Sequence, residues 1–179
     1  MVAPTLVGAL LVCDAGTDHE VNARLVEVEA YMGEDDPASH AHRGPTRRSS
    51  IMFAEPGHLY VYLSYGIHQC ANVVCSPAGT ASAVLLRAAI VERGAPTVRA
   101  RRGEAVPTPR LLSGPGNLCR GLGIRLSDND AGLCGDGRFR IETAASAVPV
   151  SSGPRVGITR AVERPLRFWW TNHPAVSRR

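Results

Sequence analysis

Short strand-like runs dominate this chain and constrain its fold more than any other feature. Apolar or alternating segments, each bounded by glycine, proline or polar residues, are typical of β-strands. They lie at 5–13, 23–32, 57–63, 68–75, 82–92 and 138–142, and closing strands are expected in PRVGITRA (154–161) and LRFWW (166–170). A helix is predicted at 111–124, with Ser113 near its start and Pro115 in its first turn. The sequence therefore predicts an α+β fold with a mainly antiparallel sheet and short helices.

The length and apolar content fit one domain spanning residues 1–179. With 179 residues and 44% apolar side chains, the chain can bury a sizeable core. It contains no apolar run of about 18 residues, so we expect no membrane-spanning helix. The apolar start has no basic residue before it, which favours a first strand over a signal peptide. A cytoplasmic protein is therefore expected.

The charge pattern is compatible with a polyanionic partner. The formal net charge is +4, and all 20 basic residues are arginine. A positive excess fits nucleic acid, whereas arginine in place of lysine is explained equally well by genome base composition. Arginines concentrate at 93–110 without apolar periodicity, so this segment is predicted to be a mobile basic loop. The sequence assigns it no role.

Cysteine and histidine spacings favour neither disulfides nor a metal site. Five cysteines form an odd set without paired spacing, which indicates reduced thiols inside a cell. No CxxC motif is present, and the pair His40 and His42 has no third ligand nearby in the sequence. We therefore expect no metal.

The strand LVEVEAY (25–31) carries an acidic face. Residues two apart share a face of a strand, so Glu27, Glu29 and Tyr31 point one way. Alternation alone favours a solvated outer face. The polar segment 34–50 that follows, with its histidines and arginines, favours instead a general base in a cleft. An acid–base sugar hydrolase pair is disfavoured, because carboxylates on one strand lie parallel and cannot flank a scissile bond.

A second motif places three tyrosines on a predicted hairpin. The strands 57–63 and 68–75 are joined by a turn at 64–67. Tyr60 is expected to pack in the sheet. Tyr65 at the tip could wedge between stacked bases, and Tyr62 could sandwich an extruded base with Tyr31.

With these residues in hand, the chain closely resembles the alkyladenine (3-methyladenine) DNA glycosylase family, the methylpurine glycosylases. The matching stretches follow the family's order and cover most of the chain: LVEVEAYMGEDDPASHAHRGPTRRSSIMF, PGHLYVYLSYGIHQCANVV, AVLLRA, LLSGPGNLCRGLGI, PRVGITRA and PLRFW. One departure is the run Thr46–Ser50, where family members often have Pro-Arg-Asn. This departure concerns local DNA contacts and leaves the chemistry unaffected.

The resemblance implies a monofunctional glycosylase of base excision repair. Such an enzyme flips an alkylated purine out of duplex DNA and hydrolyses its N-glycosidic bond. The implied substrates are 3-methyladenine and 7-methylguanine, with hypoxanthine and ethenoadenine as further candidates. The implied fold is a curved antiparallel sheet like the C-terminal domain of tRNA formyltransferases. A monomer without metal or cofactor, acting on double-stranded DNA at the nucleoid, is the corresponding expectation.

The resemblance also assigns the two catalytic groups. Glu29, the second glutamate of EVEAY, would activate the attacking water and support the positive charge developing on the sugar. Arg87 of VLLRA would lie near that water and a backbone phosphate. Glu27 would be structural or would support the site by hydrogen bonding, so that Glu27→Gln is expected to be mild. A lyase Schiff base is not expected in a chain without lysine.

Five further residues are assigned to the DNA by the same resemblance. Tyr31, His40 and Tyr62 would enclose the flipped base. Asn72 of CANVV would crowd the exocyclic amino group of normal guanine. Tyr65 would occupy the gap left in the duplex.

Two other functional classes remain open at the level of sequence. A non-catalytic nucleic-acid-binding domain could use the same scaffold, although a pure binder has no reason to turn Glu29 toward an anionic ligand. A nucleoside or small-sugar hydrolase is the other class, and Tyr65 with the basic loops argues against it.

Overall fold

The architecture was obtained as a computed structural model that describes residues 2–177. Within that range, nine strands form one curled antiparallel sheet, a half-barrel with few short helices. The strands are β1 Leu10–Cys13, β2 Val21–Tyr31, β3 Leu59–Ser64, β4 His68–Val74, β5 Ala83–Arg93, β6 Leu112–Ser113, β7 Phe139–Glu142, β8 Val150–Gly153 and β9 Arg167–Trp170. The α-helices are α1 Ala3–Leu6, α2 Ala95–Arg102 and α3 Pro115–Leu122. Turns of 3-10 helix occur at Gly33–Asp35, Ser50–Phe53, Thr108–Arg110 and Leu126–Asp128. The predicted α+β class with an antiparallel sheet is confirmed.

Strand β2 is the centre of the sheet. Strand β5 pairs along one of its edges. On the other edge, β1 pairs with the first part of β2 and β9 with the last part, opposite Glu27 and Glu29. Strands β3 and β4 extend the sheet beyond β5 as the predicted hairpin. The acidic part of β2 is therefore covered on both edges by other strands.

The apolar core lies mainly between the sheet and the helices α2 and α3. Leu25 and Val28 of β2 and Leu86 of β5 are fully buried there, together with Leu118 and Leu122 of α3. A smaller cluster on the other face contains Tyr60, Met52 and Ala83. Both faces of the central sheet are therefore packed, and a register irregularity between Leu25 and Val28 of β2 lets both residues reach the same cluster.

Three local predictions are wrong in their details. Only Leu10–Cys13 of the segment 5–13 is a strand, because Pro4 starts a short helix and Gly8 then adopts a φ of +90°. PRVGITRA forms bends, and the strand at this point is β8, which ends just before it. The segment 93–110 is largely helical rather than a mobile loop: α2 lies between two glycines, and its Val98 is buried.

No helix in residues 2–177 combines the length and the apolar character that crossing a membrane requires. The five cysteines are all free thiols, two of them not buried. Within the same described range, histidine, cysteine and carboxylate side chains form no group of three or more that could hold a metal ion.

Candidate active site

The candidate site is built on a row of residues that crosses five strands. Directly paired residues of neighbouring strands share one face of a sheet. Tyr60 of β3 pairs with Asn72 of β4, Asn72 with Leu85 of β5, Leu85 with Glu29 of β2, and Glu29 with Arg167 of β9. Residues far apart in the chain thereby lie side by side on the sheet face that carries Glu29.

Glu29 is fully buried and holds three hydrogen-bond or ionic partners. The Val156 backbone N–H donates to Oε1 at 2.8 Å, and Arg87 Nη1 lies 3.3 Å from the same oxygen. The Tyr31 hydroxyl donates to Oε2 at 3.0 Å. Burial raises the pKa of Glu29 above its ordinary value, while Arg87 and the two hydrogen bonds partly oppose that rise.

A cleft of about 670 Å³ opens in front of this carboxylate. Its wall includes Tyr31, Arg87 and Val156, which are the three partners of Glu29. Glu29 thus lies immediately behind the cleft wall. A carboxylate has about four acceptor positions, so three partners leave capacity for one water molecule. The arrangement can therefore activate a water molecule at the edge of the cleft.

An aromatic cluster forms another part of the cleft wall. His40 Nδ1 lies 2.9 Å from the Tyr60 hydroxyl, and the His40 ring meets Tyr62 edge-on at 4.7 Å between centroids. Partial enclosure, together with the charge of Arg48, lowers the pKa of His40. The imidazole still faces the open cleft, and it is neutral at pH 7. Tyr62 keeps its phenol proton, because burial raises the pKa of its hydroxyl.

Both the hydroxyl group and the ring of Tyr31 have partners that hold them in place. Its hydroxyl is hydrogen bonded to Glu29, and the guanidinium of Arg155 lies 4.7 Å from the centre of its ring. Burial and the neighbouring charge of Glu29 raise the pKa of Tyr31, so it remains a hydrogen-bond donor. The expected position of Tyr31 beside the carboxylate is therefore what the structure has.

Asn72 lies in the same cleft wall and is 3% exposed. Its side-chain Nδ2 donates to the Tyr60 carbonyl oxygen at 3.0 Å. This bond fixes the orientation of the amide at the cleft surface.

Tyr65 stands away from these groups at the tip of the β3–β4 hairpin. It is 87% exposed and adopts a φ of +49°, a left-handed backbone conformation that is unfavourable for an aromatic residue. The exposed side chains of Leu63 and Ile67 flank it. The hairpin thus presents an apolar tip at the mouth of the cleft, whose lining includes Tyr65.

The solvated outer face that alternation favours is wrong for both glutamates. Glu27 is fully buried and accepts three hydrogen bonds. The donors are Arg87 Nε at 2.7 Å, Arg167 Nε at 2.8 Å and the Ser177 backbone N–H at 2.6 Å. Arg87 and Arg167 therefore form one buried ionic network with the two glutamates beneath the cleft. Arg87 links the two carboxylates, because it contacts both Glu27 and Glu29.

Sequence reasoning missed the ion pair that holds the 154–157 loop. Arg155 and Asp36 form a buried bidentate pair, with Arg155 Nη2 2.8 Å from Asp36 Oδ1. Arg155 also donates to the Ala30 carbonyl oxygen at 3.0 Å. These bonds tie the loop to the end of β2, and they place the Val156 N–H on Glu29. The one sequence feature that could have indicated this ion pair is the arginine within the matched stretch PRVG.

Arg48 is a second residue that sequence reasoning did not single out. The run Thr46–Ser50 forms a compact turn, since the Thr46 and Ser49 hydroxyls each accept the other residue's backbone N–H. The turn places the Arg48 guanidinium 4.8 Å from the centre of the Tyr62 ring. The turn thus presents a cation at the cleft wall.

The fold and this geometry indicate the class of protein, a hydrolase. Its site combines a buried carboxylate with an aromatic pocket that suits a flat ligand. The model of the methylpurine-DNA glycosylase family matches residues 1–174, and the chain belongs to that family. It is accordingly a DNA glycosylase, a hydrolase of N-glycosyl bonds in base excision repair. The suspected resemblance is confirmed.

Relatives agree with this assignment. A protein of Cutibacterium acnes is 49% identical over 98% of this chain and 93% of its own length. A protein of Corynebacterium glutamicum is 45% identical over 100% of this chain and 92% of its own length. A protein of Mycobacterium tuberculosis is 48% identical over 88% of this chain and 80% of its own length. All three bear the name "Putative 3-methyladenine DNA glycosylase".

Proposed function

We propose that this glycosylase flips an alkylated purine from duplex DNA into the cleft and cleaves its N-glycosidic bond with a water molecule activated by Glu29. The observation that supports this most directly is the buried Glu29 carboxylate, whose three partners all lie in the cleft wall. The whole chain, 1–179, would act as one glycosylase domain and as a monomer. Because the substrate is chromosomal DNA, we place its action at the nucleoid.

Glu29 and Arg87 would divide the catalytic work. Glu29 takes a proton from water as the oxygen attacks the sugar, and its negative charge stabilises the cationic character of that sugar. Arg87 has five N–H donors. Its Nε contacts Glu27, its Nη1 contacts Glu29, and its Nη2 donates to the Ser177 hydroxyl. Its remaining donors can orient the water or a phosphate oxygen.

The aromatic wall would hold the extruded base. Aromatic faces attract cations, and purines alkylated at N3 or N7 are cationic. Tyr31 and Tyr62 keep their phenol protons and His40 is neutral, so none of these three side chains repels such a base. Arg48, a cation in the same wall, lies against the Tyr62 ring. The cleft therefore favours 3-methyladenine and 7-methylguanine as substrates.

Discrimination against normal guanine is assigned to Asn72. Its amide is fixed by the bond to the Tyr60 carbonyl oxygen, so it cannot move aside without breaking that bond. Hypoxanthine and ethenoadenine are neutral, and their release depends on such polar contacts more than on the cation-binding faces.

The exposed Tyr65 would fill the space that the flipped nucleotide leaves. Apolar wedges of this kind hold a duplex open after one nucleotide has left the stack. The hairpin tip and the cleft share Tyr65, so one insertion would open the duplex beside the base pocket.

The substitution Glu29→Gln tests the proposal. Base release should fall at least about 100-fold, because an amide cannot act as a general base. Affinity for a duplex with a lesion should change little, since glutamine retains the shape. The assay is single-turnover release of bases from methylated DNA and from duplexes that each carry one defined lesion.

The matched control is Glu142→Gln, which alters an exposed glutamate paired with Arg140 on the edge strand β7. It should release bases at the wild-type rate. Undiminished release by the Glu29→Gln enzyme would remove Glu29 from the mechanism and favour a binding role for the cleft.

A further inference from the structure

The arginine-rich segment 93–110 has no part in the mechanism above, yet it borders a second cavity. This cavity has a volume of about 460 Å³. Its wall combines Arg102 at the end of α2 and Arg110 with Ser113 of β6 and Asn117 of α3. We call these four residues the arginine pocket.

The arginine pocket adjoins the candidate active site. Arg87 and Val156 line both cavities, and each of them contacts the Glu29 carboxylate. A ligand group in the arginine pocket is therefore separated from the catalytic carboxylate by a single layer of side chains.

The positive charge of this pocket is not balanced within the described part of the chain. Among residues 2–177, neither Arg102 nor Arg110 forms an ion pair with a carboxylate. The three buried arginines of this range, in contrast, are all paired: Arg87 and Arg167 with Glu27, and Arg155 with Asp36. Burial lowers the pKa of Arg102, and the nearby charge of Arg120 adds to this effect.

The pocket also has hydrogen-bond donors that suit an oxyanion. Arg102 is held in place by its Nε, which donates to the Leu111 carbonyl oxygen at 2.9 Å. Its terminal amino groups therefore have a fixed position. Ser113 and Asn117 add neutral polar groups, and Asn117 Nδ2 is anchored on the Ser113 carbonyl oxygen at 2.8 Å. Guanidinium groups bind phosphate oxygens through paired N–H donors.

We propose that the arginine pocket binds a backbone phosphate of the damaged strand, next to the extruded nucleotide. This inference rests on the proposed function, because it takes the ligand of the main cleft to be a flipped nucleotide. The sugar–phosphate backbone on each side of such a nucleotide must pass close to the cleft. Because the pocket shares a wall with the cleft, the candidates are the two phosphates that flank the flipped nucleotide.

The first experiment compares Arg110→Gln with wild type. Arg110 is exposed and forms no side-chain hydrogen bond within the described residues, so its replacement should leave the fold intact. The probe is a duplex with a tetrahydrofuran abasic analogue, titrated by fluorescence anisotropy at several salt concentrations. Affinity should fall about tenfold, and the slope of log K against log salt should decrease in magnitude by about 1.

Arg93→Gln is the matched control, because it removes the same charge from an exposed arginine that pairs with Glu20 outside both cavities. It should preserve the wild-type affinity and slope. Arg102→Lys serves as the second pocket variant: it keeps the charge but loses the paired donors, and weaker binding is expected. Wild-type affinity and slope in Arg110→Gln would overturn the proposal.

A second experiment identifies the phosphate. One neutral methylphosphonate replaces each phosphate in turn around the abasic analogue. The wild-type enzyme should lose affinity at one adjacent position of the damaged strand, and Arg110→Gln should show no further loss at that position. Equal losses in both enzymes at every position would contradict a phosphate contact by this pocket. These readouts measure binding alone, so a failure of the Glu29→Gln test would leave them interpretable and would overturn only the catalytic proposal.

Discussion

Glu29 is a carboxylate on which burial and hydrogen bonding act in opposite directions. Burial raises its pKa, whereas Arg87, the Val156 N–H and the Tyr31 hydroxyl stabilise the charged form. The raised pKa makes Glu29 a stronger base than an exposed glutamate. The three partners oppose that rise and so favour the ionised form, which a general base requires.

The rate of base release should therefore depend on pH with a definite sign. Since the ionised form of Glu29 is active, the single-turnover rate should rise with pH through the raised pKa of this carboxyl and then level off. His40 should add no second step near neutrality, because its pKa is lowered. The substrate is methylated DNA, and the uncatalysed release measured at each pH is subtracted. A rate that stays level down to pH 4 would contradict the assignment.

Glu27 carries more of the structure than its place in the sequence indicates. From sequence, Glu27→Gln is expected to be mild. The structure instead places the carboxylate at zero exposure between the two buried arginines Arg87 and Arg167. Within residues 2–177, removing its charge leaves Arg167 without a carboxylate partner and Arg87 with Glu29 alone.

We now expect Glu27→Gln to lower the free energy of unfolding by about 3–5 kcal/mol, the usual cost of breaking a buried ion pair. Urea unfolding measures this change. The control is Glu92→Gln, which affects the half-exposed pair of Glu92 with Arg24 and should cost at most about 1 kcal/mol. Equal costs for the two variants would show that the buried network contributes no more than a surface pair.

At the scale of elements, the β3–β4 hairpin combines a rigid ladder with a strained tip. Six residue pairs connect the two strands in regular register. Tyr65 then adopts a positive φ, where a side chain costs about 1–2 kcal/mol. Strain of this kind is often found at functional positions.

Tyr65→Gly should therefore separate stability from function. Glycine relieves the unfavourable φ and removes a side chain that is 87% exposed, so the stability of the folded enzyme should stay the same or increase. Binding to a duplex with an abasic analogue should weaken, while binding to an undamaged duplex should change little. Thermal unfolding and anisotropy titrations measure the two effects. A stable variant with full affinity for the abasic duplex would exclude a wedge role.

At the scale of the whole molecule, no single helix or strand provides the site. Its residues come from the five strands β2, β3, β4, β5 and β9 of one sheet and from the segments around His40, Arg155 and Ser177, which are bonded to it. The site should therefore be present only while the sheet is intact. Lesion binding and the fluorescence of Trp169 and Trp170, both on β9, should be lost in one transition during urea unfolding. Loss of binding at a clearly lower urea concentration would indicate that the site opens separately.

Local patterns predicted the strands well and the connecting segments poorly. Strand β2 and the β3–β4 hairpin were predicted because alternation and turn residues act over a few neighbours. The segment 93–110 was predicted to be a loop, because helix α2 has few apolar residues. Its stability comes from two glycine ends and from packing Val98 against the core, which sequence alone does not show.

The sequence by itself determined the family, the antiparallel strand class and the shared face of Glu27, Glu29 and Tyr31. The family follows from the long stretches that match it in order, whereas the strand class and the shared face depend on the two-residue period of a strand, which is a local property. Only the tertiary structure decided that this face is buried, and which charges meet there. Glu27 binds partners 60, 140 and 150 residues away in the chain. Such pairings follow from the order of strands in the sheet, and that order is set by packing the entire core at once.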